Sequence, residues 1–199
     1  SKTFLAVIVL QCIERGELSL DEDINSYLSS PIMSKICNPY FPEIPITIRH
    51  LLTHKSSLQD SEAALCEGSK WRVDGNQDCP ISLEEYVYRR LCPPIDPSTS
   101  TTSSLDASVA TTSTSSDHGI EKGGSERRSY VVGMDYEPYI WSDRKPPGEA
   151  RYHYSNAGFA LLGYIVETAS KRTLSSLAHE YIFDPLDMRE TEYFISEFE

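Results

Sequence analysis

Apolar residues recur at helical spacing in several stretches of the chain, beginning at its first residues. In 1–15, one helical face carries four apolar residues, namely Leu5, Ile8, Cys12 and Ile13. Val7 and Val9 extend the apolar surface around the helix, and a helix that is apolar on all sides is usually central and buried. We therefore predict a central, buried helix that ends at Gly16, since glycine favours the left-handed conformation that follows a helix.

Residues that cap helices mark the start of two later elements. Thr47 precedes a short helical segment through Leu52, and its hydroxyl can accept a hydrogen bond from the first turn. Ser82 and Glu85 have the spacing of a capping box. The helix that follows carries an apolar stripe of Tyr86, Val87 and Leu91. The two prolines at 93–94 end this helix, because proline lacks an amide proton and clashes with the preceding turn.

Two further helices are predicted near the end of the chain. The first follows Asn156, and its inner face consists of Phe159, Leu162, Ile165, Val166 and Ala169. The second covers 174–183 and stops before Pro185, because the residue before a proline avoids the helical conformation. A shorter helical piece is predicted at 21–28. The hydrophobic pattern thus indicates a chain dominated by helices.

The stretch 98–116 differs in composition from the rest of the chain, since 14 of its 19 residues are serine or threonine. Such a stretch cannot bury enough apolar surface to offset the entropy lost on ordering. We expect about 94–129 to form a disordered surface insertion, with order resuming at Tyr130. The chain as a whole is then expected to form one partial domain, 1–199, that carries this insertion.

Composition and charge narrow the classes of function. Of the 199 residues, 39% are hydrophobic and 24% are charged, as in ordinary globular proteins. The net charge of −12 repels phosphate backbones, so nucleic acid is not an expected partner. The apolar run 4–10 is too short to cross a bilayer, and no membrane segment is visible in the sequence. Five cysteines without a CxxC pair indicate neither a disulfide framework nor a compartment.

Four strings, in order along the chain, resemble conserved segments of one enzyme family. They are SKTFLAVIVLQCIERGELSLDEDINSYL, ITIRHLLTHKSSL, PGEARYHYSNAGFALLGYIVE and FDPLDMRETEY. In these segments the chain is similar to the penicillin-binding-protein-like serine β-lactamases, a group of class C β-lactamases, D-alanyl-D-alanine carboxypeptidases and esterases. The resemblance implies an α+β fold of the β-lactamase/transpeptidase type. Strands of that fold come from both ends of the family's chain, so these residues are expected to keep mainly the helical portion.

The resemblance implies a catalytic role for Lys2. In the family's S-x-x-K motif, the lysine follows the nucleophilic serine by three residues, and the two side chains share a helical face. The lysine amine can then accept the serine proton. By this comparison the nucleophile would precede Ser1, and the 199 residues are expected to be an inactive piece of an active parent enzyme. A literal S-x-x-K match, from Ser142 to Lys145, precedes two prolines and cannot begin a helix.

The resemblance also implies roles for Tyr154 and Asn156, which form the family's Y-x-N motif. The Tyr154 hydroxyl would pass protons to the leaving group or take one from water, while Asn156 would bind the substrate. A second interpretation of the same residues is an aromatic side chain packed beneath a helix that Ser155 or Asn156 caps. The family's third motif, a K-T-G or H-x-G strand beside an oxyanion hole, does not follow these residues.

His50 and His54 have the spacing of the two histidines in a zinc-binding helix. The glutamate of H-E-x-x-H and a third ligand are missing, so we expect no metal, and the resemblance implies no organic cofactor. Lys55, Ser57 and Asp187 differ from residues that relatives often have, glycine in the case of Ser57 and Asp187. Aspartate tolerates left-handed backbone, so we expect the turn at Asp187 to survive.

The sequence leaves two functions open. The first is a serine hydrolase or acyl-transferase that forms an acyl-enzyme with an amide, β-lactam or ester, so that its partner is a small-molecule or peptide/ester substrate. The alternative is a non-catalytic β-lactamase-like binding or scaffold protein that kept the fold. The joint presence of Lys2, Tyr154 and Asn156 favours the enzyme. The sequence indicates neither an oligomeric state nor a cellular location.

Overall fold

The computed structural model of the protein describes residues 2–28, 35–60, 81–94, 132–149 and 151–193. These residues form five α-helices, α1 (Lys2–Glu14), α2 (Ile48–Leu52), α3 (Leu83–Arg90), α4 (Asn156–Ser170) and α5 (Leu174–Ala178). Short 3₁₀ turns lie at Ile24–Ser26 and Pro138–Ile140, and a π-helical turn, His179–Phe183, continues α5. The β-structure of the described residues consists of isolated bridges, Asp23 with Thr47 and Leu58 with Trp141. Within this part of the chain, none of the helices combines the length and apolarity needed to cross a membrane.

Helix α4 lies at the centre of the core and contacts α1, α2, α3 and α5. Residues 161–166 of this helix are all buried. Gly163 lies where the neighbouring helices come nearest, since a Cβ at this position would be 3.0 Å from Leu83 Cδ1 and 3.1 Å from Leu174 Cδ1. A larger residue would push these side chains away. The absence of a side chain at Gly163 therefore allows α3 and α5 to pack closely on α4.

Helix α1 packs against the core along one side. The buried residues of this helix are Leu5, Ile8, Val9 and Cys12. Val7 and Leu10 are 38% and 49% exposed, so among the described residues the helix is buried along one side and not all round. The elements that α1 contacts, α4, α5 and the π-helical turn, pack on the side that carries the buried residues. Gly16 has a φ of 77° and ends the helix as predicted.

The predicted helix caps at Thr47 and Ser82 are confirmed. The Thr47 hydroxyl accepts a hydrogen bond from His50 N at 3.3 Å, and His50 Nδ1 accepts one from Thr47 N at 3.3 Å. This is a capping box in which histidine takes the usual place of glutamate. The Ser82 hydroxyl accepts from Glu85 N at 3.1 Å, while the Glu85 carboxylate forms an ion pair with Arg89 at 2.8 Å. Local sequence therefore sets where α2 and α3 begin.

The helical piece predicted at 21–28 is reduced to the single 3₁₀ turn Ile24–Ser26. The Asp23 carboxylate accepts hydrogen bonds from the backbone and the side chain of Asn25, at 3.0 and 2.7 Å. The side-chain amide of Asn25 also donates through Nδ2 to Ile36 O at 3.0 Å and accepts through Oδ1 from Ile36 N at 2.8 Å. Short polar side chains compete in this way for the backbone groups that a helix would use. That competition explains why the prediction was too long.

The chain after α4 follows the prediction, because α5 and the π-helical turn together cover 174–183. Asp187 in the next turn has a φ of 54°, which confirms that this turn keeps its left-handed backbone without glycine. Ser57 has a φ of 65°. Glycine would adopt this conformation freely, so at both positions a side chain stands where the backbone favours glycine.

The residues on either side of 95–131 lie against each other. Gly133 N donates a hydrogen bond to Tyr88 O, in α3, at 2.9 Å. Gly133 has a φ of 72°, and a Cβ there would lie 2.5 Å from Pro94 N. Only glycine permits this approach of two backbone segments. The insertion predicted at about 94–129 lies outside the described residues except for Pro94.

Candidate active site

The structure brings the three predicted site residues together, although Lys2 and Asn156 are 154 positions apart in sequence. Lys2 is the first residue of α1, and Asn156 is the first residue of α4. Lys2 Nζ donates a hydrogen bond to Asn156 Oδ1 at 2.6 Å and lies 5.0 Å from the centre of the Tyr154 ring. The N-terminal ends of two helices therefore place an amine, an amide and a phenol in one location.

Tyr154 is positioned by its aromatic neighbours. Its ring centre lies 4.8 Å from that of His54, at an interplanar angle of 35°. His54 in turn lies 5.0 Å from the ring of Phe159, and Lys2 Nζ is 5.8 Å from the same phenylalanine. An amine near the face of an aromatic ring is attracted by the negative charge of that face. The Tyr154 side chain is 45% exposed, so this ring is held at a surface that a substrate can reach.

His54 connects the loop after α2 to the segment that carries Tyr154. Its Nδ1 accepts a hydrogen bond from Ser155 N at 3.2 Å, and its carbonyl oxygen accepts one from His153 N at 3.0 Å. Burial lowers the pKa of His54 below its usual value of 6.5, the positive charge of Lys2 lowers this pKa further, and Asp60 opposes both. A neutral imidazole keeps Nδ1 available as the acceptor for Ser155.

Asp60 is a site residue that the sequence analysis missed. Its carboxylate accepts hydrogen bonds from Asn156 N at 2.8 and 2.9 Å and from Asn156 Nδ2 at 2.5 Å. Asp60 lies in an irregular segment after α2, where no spacing rule points to it. Two features of the sequence could have pointed to it. Asp60 lies just beyond the HLLTHKSSL string, and Asn156 lies at the predicted start of a helix. In the structure these two residues are hydrogen-bonded to each other.

His50 and His54 both direct Nδ1 to backbone amide groups rather than to each other. His50 also lies close to Gly148, where a Cβ would be 2.9 Å from His50 Nε2. Among the residues that the structure describes, no group of three or more His, Cys, Asp and Glu side chains is arranged to hold a metal ion. The two histidine rings are thus explained by the hydrogen bonds and packing around α2.

Three histidines are expected to have pKa values on opposite sides of 6.5, with His50 and His54 below it and His179 above it. Burial lowers the pKa of His50 and His54, whereas a hydrogen bond to Glu192 raises the pKa of His179. In an NMR titration that follows the Cε1 protons, the midpoints of His50 and His54 should therefore lie below that of His179. A His54 midpoint above the usual value of 6.5 would contradict the neutral acceptor that the structure shows.

These shifts have opposite effects on stability. The unfolded chain binds protons at His50 and His54 more readily than the folded chain does. Their contribution to stability is therefore present above about pH 6.5 and is lost as the pH falls. The raised pKa of His179 acts in the other direction, because its contribution is present below about pH 6.5 and is lost as the pH rises through the raised value. Replacing His179 with glutamine should leave the effect of His50 and His54 alone. In thermal melts at several pH values, this variant should therefore lose stability as the pH falls below about 6.5.

Comparison with known proteins places this chain in a family. The β-lactamase family model matches residues 1–91 and 133–199. The penicillin-binding protein from Bacillus halodurans has 23% identity over 97% of this chain and 40% of its own, with a TM-score of 0.52. The octameric penicillin-binding protein homologue from Pyrococcus abyssi has 20% identity over 94% of this chain and 30% of its own, with a TM-score of 0.52. The chain therefore spans less than half the length of these two structures.

The two structures confirm the predicted α+β fold class of β-lactamase/transpeptidase type, and the described part of this chain is mainly helical, as expected. The matched stretches contain all four strings that carried the resemblance in sequence. They also contain Lys2, Asp60, Tyr154 and Asn156. Because the family model covers well over half of the residues, the chain belongs to the β-lactamase family.

Proposed function

We propose that the chain is part of a serine hydrolase or acyl-transferase that acts through an acyl-enzyme on an amide, β-lactam or ester. The observation that supports this most strongly is the meeting of Lys2, Tyr154 and Asn156 at the ends of α1 and α4. The proposed nucleophile is a serine three residues before Lys2. Coverage of only 40% and 30% of the two penicillin-binding-protein structures agrees with a longer protein. We use the name "longer protein" for the chain that contains these residues, the preceding serine and the family's third motif.

The proposed reaction assigns a separate task to each side chain. The Lys2 amine accepts the proton of the serine hydroxyl, and the serine oxygen bonds to the substrate's acyl carbon. The bond from that carbon to the leaving group breaks, and Tyr154 passes a proton to the departing nitrogen or oxygen. Water then gives a proton to the Tyr154 phenolate and bonds to the acyl carbon. The acid is released, and the departing serine oxygen takes back the proton held by Lys2. Asn156 donates a hydrogen bond to the bound substrate.

The proposed partner is a small-molecule or peptide/ester substrate. Tyr154 is 45% exposed and Asn156 is exposed in these residues, so neither side chain is enclosed by the helices described. The walls of the pocket determine whether the substrate is an amide, a β-lactam or an ester. Those walls include the third motif of the longer protein.

Covalent labelling tests the proposed function. The longer protein is expected to react with a fluorescent penicillin or a fluorophosphonate, whereas the 199 residues alone should stay unlabelled. Tyr154→Phe should slow labelling about 10²-fold, because the ring is kept while the proton-transferring hydroxyl is lost. The rate is measured from fluorescence in a gel over a time course.

Tyr152→Phe is the matched control for this experiment. Tyr152 is 65% exposed and lies 5.4 Å from His54, ring centre to ring centre, so it loses the same hydroxyl beside the same histidine. Its labelling rate should stay at the wild-type value. A folded longer protein that reacts with neither probe would support the non-catalytic binding protein instead. Equal rates for the wild type and Tyr154→Phe would contradict the role of Tyr154.

A further inference from the structure

The carboxylate of Asp60 lies at the first turn of α4 and accepts hydrogen bonds from three consecutive residues. Asn156 N donates at 2.8 and 2.9 Å to the two oxygens, and Ala157 N donates at 3.2 Å to Oδ1. The Ser155 hydroxyl donates to Oδ1 at 3.3 Å. The first amide groups of a helix have no partner within the helix, and the helix dipole favours a negative charge there. Asp60 therefore helps to cap α4.

One hydrogen bond of Asp60 is not explained by capping. Asn156 Nδ2 donates to Asp60 Oδ2 at 2.5 Å, and this bond joins two side chains. An asparagine side chain has one donor end and one acceptor end. With the donor end bound to Asp60, the end that faces Lys2 is Oδ1, which accepts from Lys2 Nζ at 2.6 Å. A continuous chain of hydrogen bonds thus runs from Asp60 through Asn156 to Lys2.

The reversed orientation of the Asn156 amide is disfavoured at both ends. It would bring Oδ1 against the Asp60 carboxylate, so that two acceptors faced each other. It would also turn the NH₂ group toward Lys2 Nζ, which donates in the structure, so that two donors faced each other. Asp60 and Lys2 together therefore select one orientation of the Asn156 side-chain amide, whose two ends have nearly the same shape.

Three titratable groups lie around the Lys2 amine among the described residues. Asp60 reaches it through Asn156, the Tyr154 ring lies with its centre 5.0 Å from Nζ, and His54 interacts electrostatically with both Lys2 and Asp60. Of these three, Asp60 is the carboxylate. Asp60 is therefore the group whose charge can be removed without altering the amine itself.

We propose that Asp60 is a positioning residue for acylation, which fixes the Asn156 amide so that its oxygen faces the Lys2 amine. The inference rests on the proposed function, because acylation is the reaction of the longer protein. Asp60 acts through Asn156 and is not itself a catalytic residue. It holds the Lys2 amine and the Asn156 amide in a fixed position relative to each other.

Asp60→Asn in the longer protein tests the proposal. The new side chain keeps one acceptor for the backbone of α4 but lets the Asn156 amide turn over. The maximal rate at which a fluorophosphonate labels the serine is expected to fall about 30-fold, because the amine is no longer held in place. Asp60→Glu, whose carboxylate can still accept from the Asn156 amide, is expected to recover most of this loss.

Thr173→Ala is the matched control, since it removes the cap of another helix, α5. The Thr173 hydroxyl accepts from Ser176 N at 3.2 Å. This variant should lower the melting temperature while leaving the maximal rate of labelling at the wild-type value. If Asp60→Asn behaves like Thr173→Ala, with a lower melting temperature and an unchanged rate, Asp60 is only a cap and the proposal is overturned.

The exchange variant Asp60→Asn/Asn156→Asp keeps the net charge and serves if Asp60→Asn does not fold. The amide introduced at position 60 can donate to the new carboxylate at position 156, which then contacts the amine directly. The rate of labelling of the exchange variant should therefore exceed that of Asn156→Asp alone, in which two carboxylates face each other. Equal rates for these two variants would overturn the proposal.

The wild type separates the two proposals. A folded longer protein that is not acylated overturns the proposed function, and with it any positioning role. An acylated wild type with an unaltered Asp60→Asn overturns the role of Asp60 alone.

Discussion

Replacing Lys2 with alanine in the longer protein is expected to slow acylation about 10³-fold, because the base that accepts the serine proton is lost. The fold should survive this change. Lys2 is the first residue of α1, its amine contacts the surface residues Asn156 and Tyr154, and alanine is a good helix former. The rate is measured by labelling with a fluorophosphonate, and circular dichroism shows whether the helices persist.

Two further variants separate a base from a simple positive charge. Lys2→Arg keeps the charge, but a guanidinium does not lose its proton in proteins, so this variant should be nearly as slow as Lys2→Ala. Lys55→Ala removes an exposed lysine from the loop after α2 and should label at the wild-type rate. If Lys2→Arg reacts as fast as the wild type, Lys2 acts through its charge and not as the base.

Leu162→Ala is expected to lower the free energy of unfolding of the longer protein by about 3 kcal/mol. Leu162 is fully buried in α4, the helix that contacts four others, so its removal leaves a cavity with tightly packed walls. Such a cavity adds to the loss of the transfer free energy of the missing carbon atoms. The change is measured by denaturation in urea, from the midpoint and an unchanged slope.

Leu186→Ala provides the matched control, because the same atoms are removed from a side chain that is 66% exposed. Its effect should stay below about 0.5 kcal/mol. Equal losses at the two positions would mean that α4 is not the centre of the core. A small loss at Leu162 together with a lower slope would mean that the packing around α4 is loose.

The helix boundaries could be predicted from the sequence because their causes are local. Thr47 and Ser82 each bond to a residue three positions later, and Gly16 needs only its own backbone freedom to end α1. Such interactions form wherever these residues stand before or after a helix. The same locality produced the error at 21–28, since the competing bonds between Asn25 and Ile36 span eleven residues.

The candidate site was only partly predictable. Lys2, Tyr154 and Asn156 could be named because a family resemblance carried them, and the structure then brought them together. Asp60 could not be named, because its partners lie 96 positions away and its own neighbourhood shows no pattern. A contact of that kind depends on how α2 and α4 pack, which no local spacing encodes.

Because Gly133 lies against Pro94, the polypeptide that joins them leaves and re-enters the fold at one point. The entropy of closing such a connection grows only with the logarithm of its length, by about 0.6 kcal/mol for each doubling. The two stretches matched by the family end and resume beside the same point, at 91 and 133. A change in the number of residues between these two points is therefore expected to change the free energy of folding only slightly.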